Sequence, residues 1–343
     1  MAKPAADIKS LNLALQGGGA HGAFTWGVLD RLLEDGRVRF EGVSATSAGA
    51  MNATVMAYGY AVGGPEGARR ALAGFWRRIS HAAAMGPLQP SALDRVLGNR
   101  GLAYSPAFLM FDLVTRLLSP YQFNPLNRNP LRDVLLQTVD FEALRSAAMP
   151  IKLFLSATNV RTGKVKVFEN AEICVDAVLA SGCLPFLFQA VAIGGEHYWD
   201  GGYMGNPALF PLIAGCECRD ILVVHINPLE REGVPQTATD ILNRINEISF
   251  NSSLMREMRA ISFVTRLIDE GTADATRLKR ILIHGIAADD VMTGLGVASK
   301  LNADWDFLVE LRDLGRSHAE RWLEAHFASL GRESTVDIRE RFL

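Results

Sequence analysis

Residues 38–49 are Val38-Arg39-Phe40-Glu41-Gly42-Val43-Ser44-Ala45-Thr46-Ser47-Ala48-Gly49, and they combine a strand pattern with a turn of small residues. The alternation over residues 38–44 predicts a strand, and the Ala- and Met-rich residues 50–58 predict a helix. A sharp turn between the two would expose the Ser47 hydroxyl in front of a helix N-terminus, which favours developing negative charge. Ser47 is therefore a candidate nucleophile, and a serine that only caps the helix is the alternative interpretation.

A glycine-rich loop lies upstream, between a buried strand predicted for residues 11–15 and another predicted helix. Its sequence is Gln16-Gly17-Gly18-Gly19-Ala20-His21-Gly22. Consecutive N–H groups of such a loop can face the oxygen that becomes negative when a serine attacks a carbonyl, which favours an oxyanion hole. The spacing of Gly17, Gly19 and Gly22 also matches a dinucleotide-binding loop, but Glu41 lies too early for the carboxylate that binds the ribose. A tight turn without a functional role is the third interpretation.

An attacking serine needs a base, and the histidines are weak candidates. Most of the seven lie within or at the end of predicted helices and strands, and His21 belongs to the glycine loop. His197 stays open as a base. The other candidate is Asp200, which begins Asp200-Gly201-Gly202, a sequence that is common in surface turns. Its apolar neighbours would raise its pKa toward that of a useful base if it were buried near Ser47.

These motifs together resemble the patatin-like phospholipases. The resemblance rests on the loop 17–22, on Ser47 in its turn, and on Asp200-Gly201-Gly202 followed by Asn206-Pro207, and it covers about residues 11–212. It implies a Ser–Asp dyad with Ser47 as nucleophile and Asp200 as base, and hydrolysis of lipid acyl esters through an acyl-enzyme, without a metal or other cofactor. It also implies backbone roles: oxyanion donors at Gly18, Gly19 and Ala20, and supporting motif residues at Gly17, Gly22, Gly49, Gly201 and Gly202.

The remaining patterns favour an α/β fold. Strands are predicted near residues 151–158, 164–168, 221–226 and 280–284, and long helices near 237–269 and 304–327. The resemblance implies a three-layer patatin-like fold, in which helices flank a mostly parallel central sheet, with an irregular helical cap and a helical C-terminal part. No repeat or linker pattern divides the chain, so we expect one domain over residues 1–343, with 11–212 as the catalytic core and 213–343 packed on it.

Composition limits the partners and the compartment. Of 343 residues, 49% are hydrophobic and 21% charged, which suits a large buried core. The net charge of −2 argues against a nucleic-acid partner held by bulk electrostatics. The first residues lack the apolar segment of a signal peptide, so we expect a cytoplasmic protein, with peripheral contact to a membrane surface. The uncharged stretch 42–65 suits a buried strand and helix better than a membrane span.

Two apolar clusters could form a route for acyl chains: residues 101–111, and a second group of Leu117, Leu118, Tyr121 and Phe123. Ordinary core packing or a homodimer face would explain them equally well. Four arginines suit either anionic headgroups or a solvated helix face: Arg69, Arg70, Arg77 and Arg78. We expect a carboxylic ester hydrolase that acts on a lipid ester, like a phospholipase A or a lysophospholipase. The alternatives are an acyltransferase with the same dyad and an inactive lipid-binding or nucleotide-binding protein.

Overall fold

The computed structural model describes residues 8–86, 100, 102, 105–145, 149–272 and 278–343. Within them, eight strands form one sheet. The strands are β1 (Lys9–Leu15), β2 (Val38–Ala45), β3 (Lys152–Asn159), β4 (Val165–Glu169), β5 (Val191–Ile193), β6 (Glu196–Asp200), β7 (Asp220–Val224) and β8 (Leu282–Ile286). The α-helices are α1 (Gly22–Asp35), α2 (Ala48–Ala84), α3 (Pro106–Leu117), α4 (Pro120–Phe123), α5 (Pro130–Thr138), α6 (Phe141–Leu144), α7 (Val175–Ser181), α8 (Phe210–Gly215), α9 (Ala238–Asp269), α10 (Asp289–Met292), α11 (Trp305–His326) and α12 (Ile338–Phe342).

The sheet has the strand order β5-β6-β3-β2-β1-β7-β8, and β4 pairs with β3 outside that path. Strands β3, β2, β1, β7 and β8 pair in parallel, while β4 and β6 are antiparallel to β3 and β5 is antiparallel to β6. Parallel pairing requires long crossovers, which the helices supply. This architecture confirms the predicted α/β class with a mostly parallel central sheet flanked by helices. Strands β7 and β8, from the C-terminal part of the chain, continue the same sheet as β1.

The centre of the sheet is buried on both faces. Leu11, Leu13 and Leu15 of β1 belong to one hydrophobic core, while Ala14 belongs to a second. Successive side chains of a strand point to opposite faces, so the two cores lie on the two sides of the sheet. In the uncharged stretch, residues 42–57 are almost all buried and 61–65 are mostly exposed, in agreement with a buried strand and helix. Among the described residues, no helix combines the length and apolarity needed to cross a bilayer.

Helix boundaries follow the capping residues. Thr237 precedes α9, and its side chain accepts a hydrogen bond from the N–H of Asp240 at 3.1 Å. Asp304 caps α11 in the same way. Helix α2 runs beyond the expected end near residue 58, but Gly63 and Gly64 have non-helical backbone angles, so two helical segments meet there at a kink.

The C-terminal part packs directly on the N-terminal part through α1 and α11. Arg31 Nε of α1 lies 2.9 Å from a carboxylate oxygen of Glu320 in α11, and Arg316 pairs with Asp30 across the same contact. Helix α1 begins immediately after the glycine loop. The position of that loop is therefore coupled to the C-terminal helices.

Helices α3 to α6 lie between α2 and β3, where the cap is expected, and α5 and α6 contribute buried residues to the main hydrophobic core. None of the residues of α3 is fully buried, and its Leu109 and Met110 are largely exposed. Residues 101, 103 and 104 of the first apolar cluster lie outside the described residues.

Candidate active site

Ser47 lies in the turn between β2 and α2, where the sequence predicts a nucleophile. Its backbone has φ 56° and ψ −123°, a strained combination that costs on the order of 1–3 kcal/mol. The side chain makes no hydrogen bond that caps α2, and the backbone N–H donates to Ser181 Oγ at 2.9 Å. The helix-capping interpretation is therefore wrong. The turn instead presents the hydroxyl to a cavity.

The glycine loop lies against this turn. A Cβ at Gly17 would lie 2.6 Å from the Cβ of Ser47, so only glycine permits the close approach. The N–H of Gly17 donates to Asn206 Oδ1 at 2.7 Å. Asn206 thus connects the loop to the segment that follows Asp200, and the three predicted motifs meet in one place.

Asp200 is the last residue of β6 and is fully buried. Its Oδ1 accepts a hydrogen bond from the N–H of Gly202 at 2.7 Å, whereas its Oδ2 has no partner of standard geometry among the described residues. Burial raises the pKa of the carboxyl to about 6, against smaller opposing effects of the Gly202 N–H and the nearby Ser47 hydroxyl. The Ser47 hydroxyl is thus close to the carboxyl without a well-aligned hydrogen bond. A buried carboxylate with a free oxygen and this pKa can accept a proton near neutral pH.

The N–H groups of the predicted oxyanion donors have no acceptor among the described residues. Among the described residues, none accepts a hydrogen bond from the N–H of Gly18, Gly19 or Ala20. Gly18 and Gly19 line the cavity beside Ser47, whereas Ala20 is buried and is not part of the lining. Gly19 has φ +59°, which favours glycine. Gly18 and Gly19 are therefore the two candidate donors that line the cavity.

The other motif glycines lie at close contacts of the same region. Ideal Cβ atoms would come within 3 Å of a neighbour at each: Gly22 against Ala48, Gly49 against the Leu15 carbonyl, Gly201 against the Ser156 carbonyl and Gly202 against Phe250. They pack the loop, the turn and the Asp200 segment together.

The cavity at Ser47 and Asp200 has a volume of about 1150 Å³ and a mostly apolar lining. Much of the lining comes from the cap, including parts of both predicted apolar clusters. The large apolar residues are Phe108, Phe111, Leu117, Leu118, Tyr121, Leu184, Phe186, Leu187, Trp199, Tyr203, Leu242, Phe250 and Leu301. A cavity of this size and polarity can accommodate an acyl chain next to the Ser47 hydroxyl.

The structure places no histidine in the described lining of this cavity. His197 is exposed in β6, on the opposite side of the strand from Asp200. His21 is buried, and its Nε2 lies 2.7 Å from Ser299 Oγ. Burial lowers the pKa of His21 to about 3, so this imidazole is neutral at physiological pH.

Lys300 is a functional candidate that sequence reasoning missed. It lies in the 3-10 helix Val297–Leu301 and lines the cavity that holds Ser47. Its Nζ donates to Asn227 Oδ1 at 2.8 Å. No local signal identifies this lysine, because its proximity to the glycine loop arises only from tertiary packing.

The contacts of Glu41 and Arg69 bear on two other interpretations of the sequence. Both carboxylate oxygens of Glu41 accept backbone N–H groups, of residues 217 and 218, at 2.8 Å. In the parallel pairing of β1 with β2, Phe40 lies opposite Leu11 and Ala45 opposite Leu15, so Glu41 lies well before the end of the strands at which the glycine loop begins. Arg69 forms ion pairs with Asp30, Glu34 and Glu66. This part of the arginine group is therefore a paired helix face. In the described part of the chain, no cluster of three His, Cys, Asp or Glu side chains could hold a metal ion.

Comparison with known proteins gives one family and several distant structures. A family model described as patatin-like phospholipase matches residues 13–213. VipD from Legionella pneumophila is 17% identical with a TM-score of 0.45, and the match covers 93% of this chain and 67% of VipD. ExoU from Pseudomonas aeruginosa, solved with SpcU, is 15% identical with a TM-score of 0.31, covering 93% of this chain and 53% of the other. This chain thus spans about two thirds of VipD and about half of ExoU. No curated protein sequence matches it significantly.

Proposed function

The chain belongs to the patatin-like phospholipase family, and we propose that it hydrolyses acyl esters of lipids with Ser47 as nucleophile and Asp200 as base. The observation that carries this proposal is the pairing of a strained serine with a buried carboxylate whose second oxygen has no partner of standard geometry among the described residues. The mostly apolar cavity around both residues supports a lipid substrate.

In the proposed reaction, Asp200 accepts the proton of the Ser47 hydroxyl while Oγ forms a bond to the acyl carbonyl carbon. The N–H groups of Gly18 and Gly19 stabilise the negative oxygen. The bond to the leaving alcohol then breaks, and the proton on Asp200 passes to that alcohol. In the second half of the reaction, Asp200 accepts a proton from a water molecule while the water oxygen forms a bond to the acyl carbon. The bond between that carbon and Ser47 Oγ then breaks, the proton on Asp200 returns to Oγ, and the fatty acid is released.

The apolar residues around the cavity support access from a lipid surface. Leu117, Tyr121 and Phe186 line the cavity and are also 72%, 58% and 71% exposed. Exposed large apolar side chains at the mouth of a pocket are typical of a contact with a membrane or another apolar surface. We therefore include transient contact with a membrane in the proposed function.

Labelling with a fluorophosphonate probe tests the nucleophile directly. Wild-type protein should be labelled and Ser47→Ala should not. Ser156→Ala is a matched control, because the buried Ser156 hydroxyl has no hydrogen-bond partner in the described structure and its removal should cost little. Labelling of Ser47→Ala equal to that of the wild type would refute the assignment.

A total lipid extract tests the reaction. We expect wild-type protein, but not Ser47→Ala, to release fatty acids that mass spectrometry detects. An added acceptor alcohol that collects the acyl groups instead of water would identify an acyltransferase with the same dyad.

A further inference from the structure

Lys300 is a cation inside the cavity that the proposed reaction does not use. It belongs to the 3-10 helix Val297–Leu301, outside the residues that match the family model. The hydrogen bond between His21 Nε2 and Ser299 Oγ, at 2.7 Å, attaches this segment to the glycine loop. The Lys300 carbonyl oxygen lies 2.4 Å from the position of a Cβ on Gly19. Lys300 is therefore held beside the candidate oxyanion donors.

The ammonium group of Lys300 uses only part of its hydrogen-bonding capacity within the described structure. Its Nζ donates one hydrogen bond, to Asn227 Oδ1 at 2.8 Å, and no described carboxylate lies within ion-pair distance of it. Since an ammonium group has three N–H donors, two are left for water or a ligand. Glu247 is an acidic neighbour, but it already pairs with Arg231 at 2.6 Å. Burial lowers the pKa of Lys300 to about 8, against the charges of Glu247 and Asp200, so the ammonium form predominates at neutral pH.

A cation in a mostly apolar cavity that has no ion-pair partner of its own gains free energy when an anion binds to it. An acyl ester is uncharged, so a neutral lipid in the cavity supplies no anionic partner for the two remaining N–H donors of Lys300. A phosphate close to the ester supplies both negative charge and strong acceptor oxygens. We propose that Lys300 binds the phosphate of a lipid headgroup and makes the protein select phospholipids over neutral lipid esters. This inference rests on the proposed hydrolysis at Ser47.

Arg116 offers a matched control. It also lines the cavity, but its side chain is 50% exposed and its Nε lies 2.8 Å from a carboxylate oxygen of Asp112. Arg116 therefore contributes positive charge at the cavity without an unpaired donor group held against the glycine loop.

The test compares wild type, Lys300→Met and Arg116→Met on dihexanoylphosphatidylglycerol and dihexanoylglycerol, below the concentrations at which either aggregates. The measured quantity is the ratio of kcat/KM for the phospholipid to kcat/KM for the neutral ester. Lys300→Met should lower this ratio roughly 10- to 100-fold, the loss typical of a hydrogen bond to a charged group. Arg116→Met should change it less than about threefold, as exposed ion pairs contribute little.

An unchanged ratio in Lys300→Met would overturn the proposal, as would an equal shift in Arg116→Met, which would indicate bulk electrostatics. Equal losses on both substrates would assign Lys300 to the chemical step. Millimolar inorganic phosphate tests the source of the anion. If it lowers the wild-type ratio as far as Lys300→Met does, the site takes free phosphate and the headgroup assignment fails.

Calorimetric binding separates a failure of this proposal from a failure of the proposed function. If wild-type protein hydrolyses neither ester, the proposed function fails, but the same two lipids can still be titrated into wild type and Lys300→Met. A preference for the phospholipid that Lys300→Met loses supports the assignment of Lys300. Equal affinities of the wild type for both lipids overturn it, and this measurement requires no variant to fold.

Discussion

His21 Nε2 lies 2.7 Å from Ser299 Oγ, a residue 278 positions later in the chain. The Ser299 hydroxyl donates to the Gly296 carbonyl at 2.7 Å, so its oxygen accepts the proton on His21 Nε2. His21 is neutral and ends the 3-10 helix of the glycine loop, so this hydrogen bond joins the loop to the Val297–Leu301 segment.

Loss of this contact should loosen the loop. We expect His21→Ala to lower the free energy of unfolding by about 1–3 kcal/mol, the cost of a lost buried hydrogen bond, and to reduce kcat/KM. His21→Gln keeps an N–H donor and should recover most of both, measured by chemical denaturation and ester hydrolysis. The decrease of kcat/KM at acidic pH should be the same in all three proteins, because His21, with a pKa of about 3, stays neutral there. If this decrease were absent in His21→Ala, His21 would be a catalytic acid or base.

Asp200 should set the pH dependence of the reaction. Its carboxyl must be ionised to act as a base, and its pKa is raised to about 6 by burial. We expect kcat/KM on a soluble acyl ester to fall about tenfold per pH unit below pH 6 and to level off above it. Asp200→Asn should abolish activity at every pH. If His197→Ala removed the decrease of kcat/KM below pH 6 and Asp200→Asn kept it, the base would be His197.

The same carboxylate should destabilise the folded protein at neutral pH. Its folded pKa of about 6 exceeds the ordinary value of 3.8, so the folded state binds the proton more tightly than the unfolded state. The stability that the protonated form contributes is complete below about pH 4 and is lost as the pH rises through 6. Asp200→Asn removes the charge, so its free energy of unfolding at pH 8 should exceed that of the wild type by roughly 1–3 kcal/mol. Near pH 4 the difference should vanish, and a constant difference across this range would rule out ionisation as its cause.

A comparison of Gly19→Ala with Gly36→Ala distinguishes the effect of backbone strain from the loss of the oxyanion hole. Both glycines have positive φ, 59° and 72°, so alanine should cost roughly 1–2 kcal/mol of conformational energy at either position. A Cβ at Gly19 would also lie 2.4 Å from the Lys300 carbonyl oxygen, whereas a Cβ at Gly36 meets nothing within 4 Å. Gly19→Ala should therefore lower kcat by roughly 100-fold or more, the loss typical of one oxyanion donor. Gly36→Ala should retain activity with a small decrease in melting temperature. Full activity in Gly19→Ala would exclude the loop as the oxyanion hole.

The strands and helices that the sequence predicts are those with strong local patterns. Strands β1 and β2 and helix α9 fall within a few residues of their expected positions, because their apolar periodicity extends over five or more residues. Strands β5 and β6 were missed. They are only three and five residues long, although Gly194-Gly195 between them is a two-residue hairpin signal.

The missed hairpin changes the interpretation of Asp200. The Asp-Gly-Gly sequence alone suggests a surface turn, but Asp200 ends β6, where pairing with Ala157 of β3 places it in the buried interior. A raised pKa depends on that burial, so no pattern in the neighbouring residues could establish it.

By itself, the sequence determined the α/β class, the turn that presents Ser47, and the order of glycine loop, serine and aspartate along the chain. These are local properties, set by side-chain periodicity and by the need for glycine where backbones approach closely. Only the tertiary structure decided that Asp200 is buried and that Lys300 lies beside the glycine loop. The burial of a carboxylate and the placement of a distant lysine depend on packing between segments far apart in the chain, which no local pattern encodes.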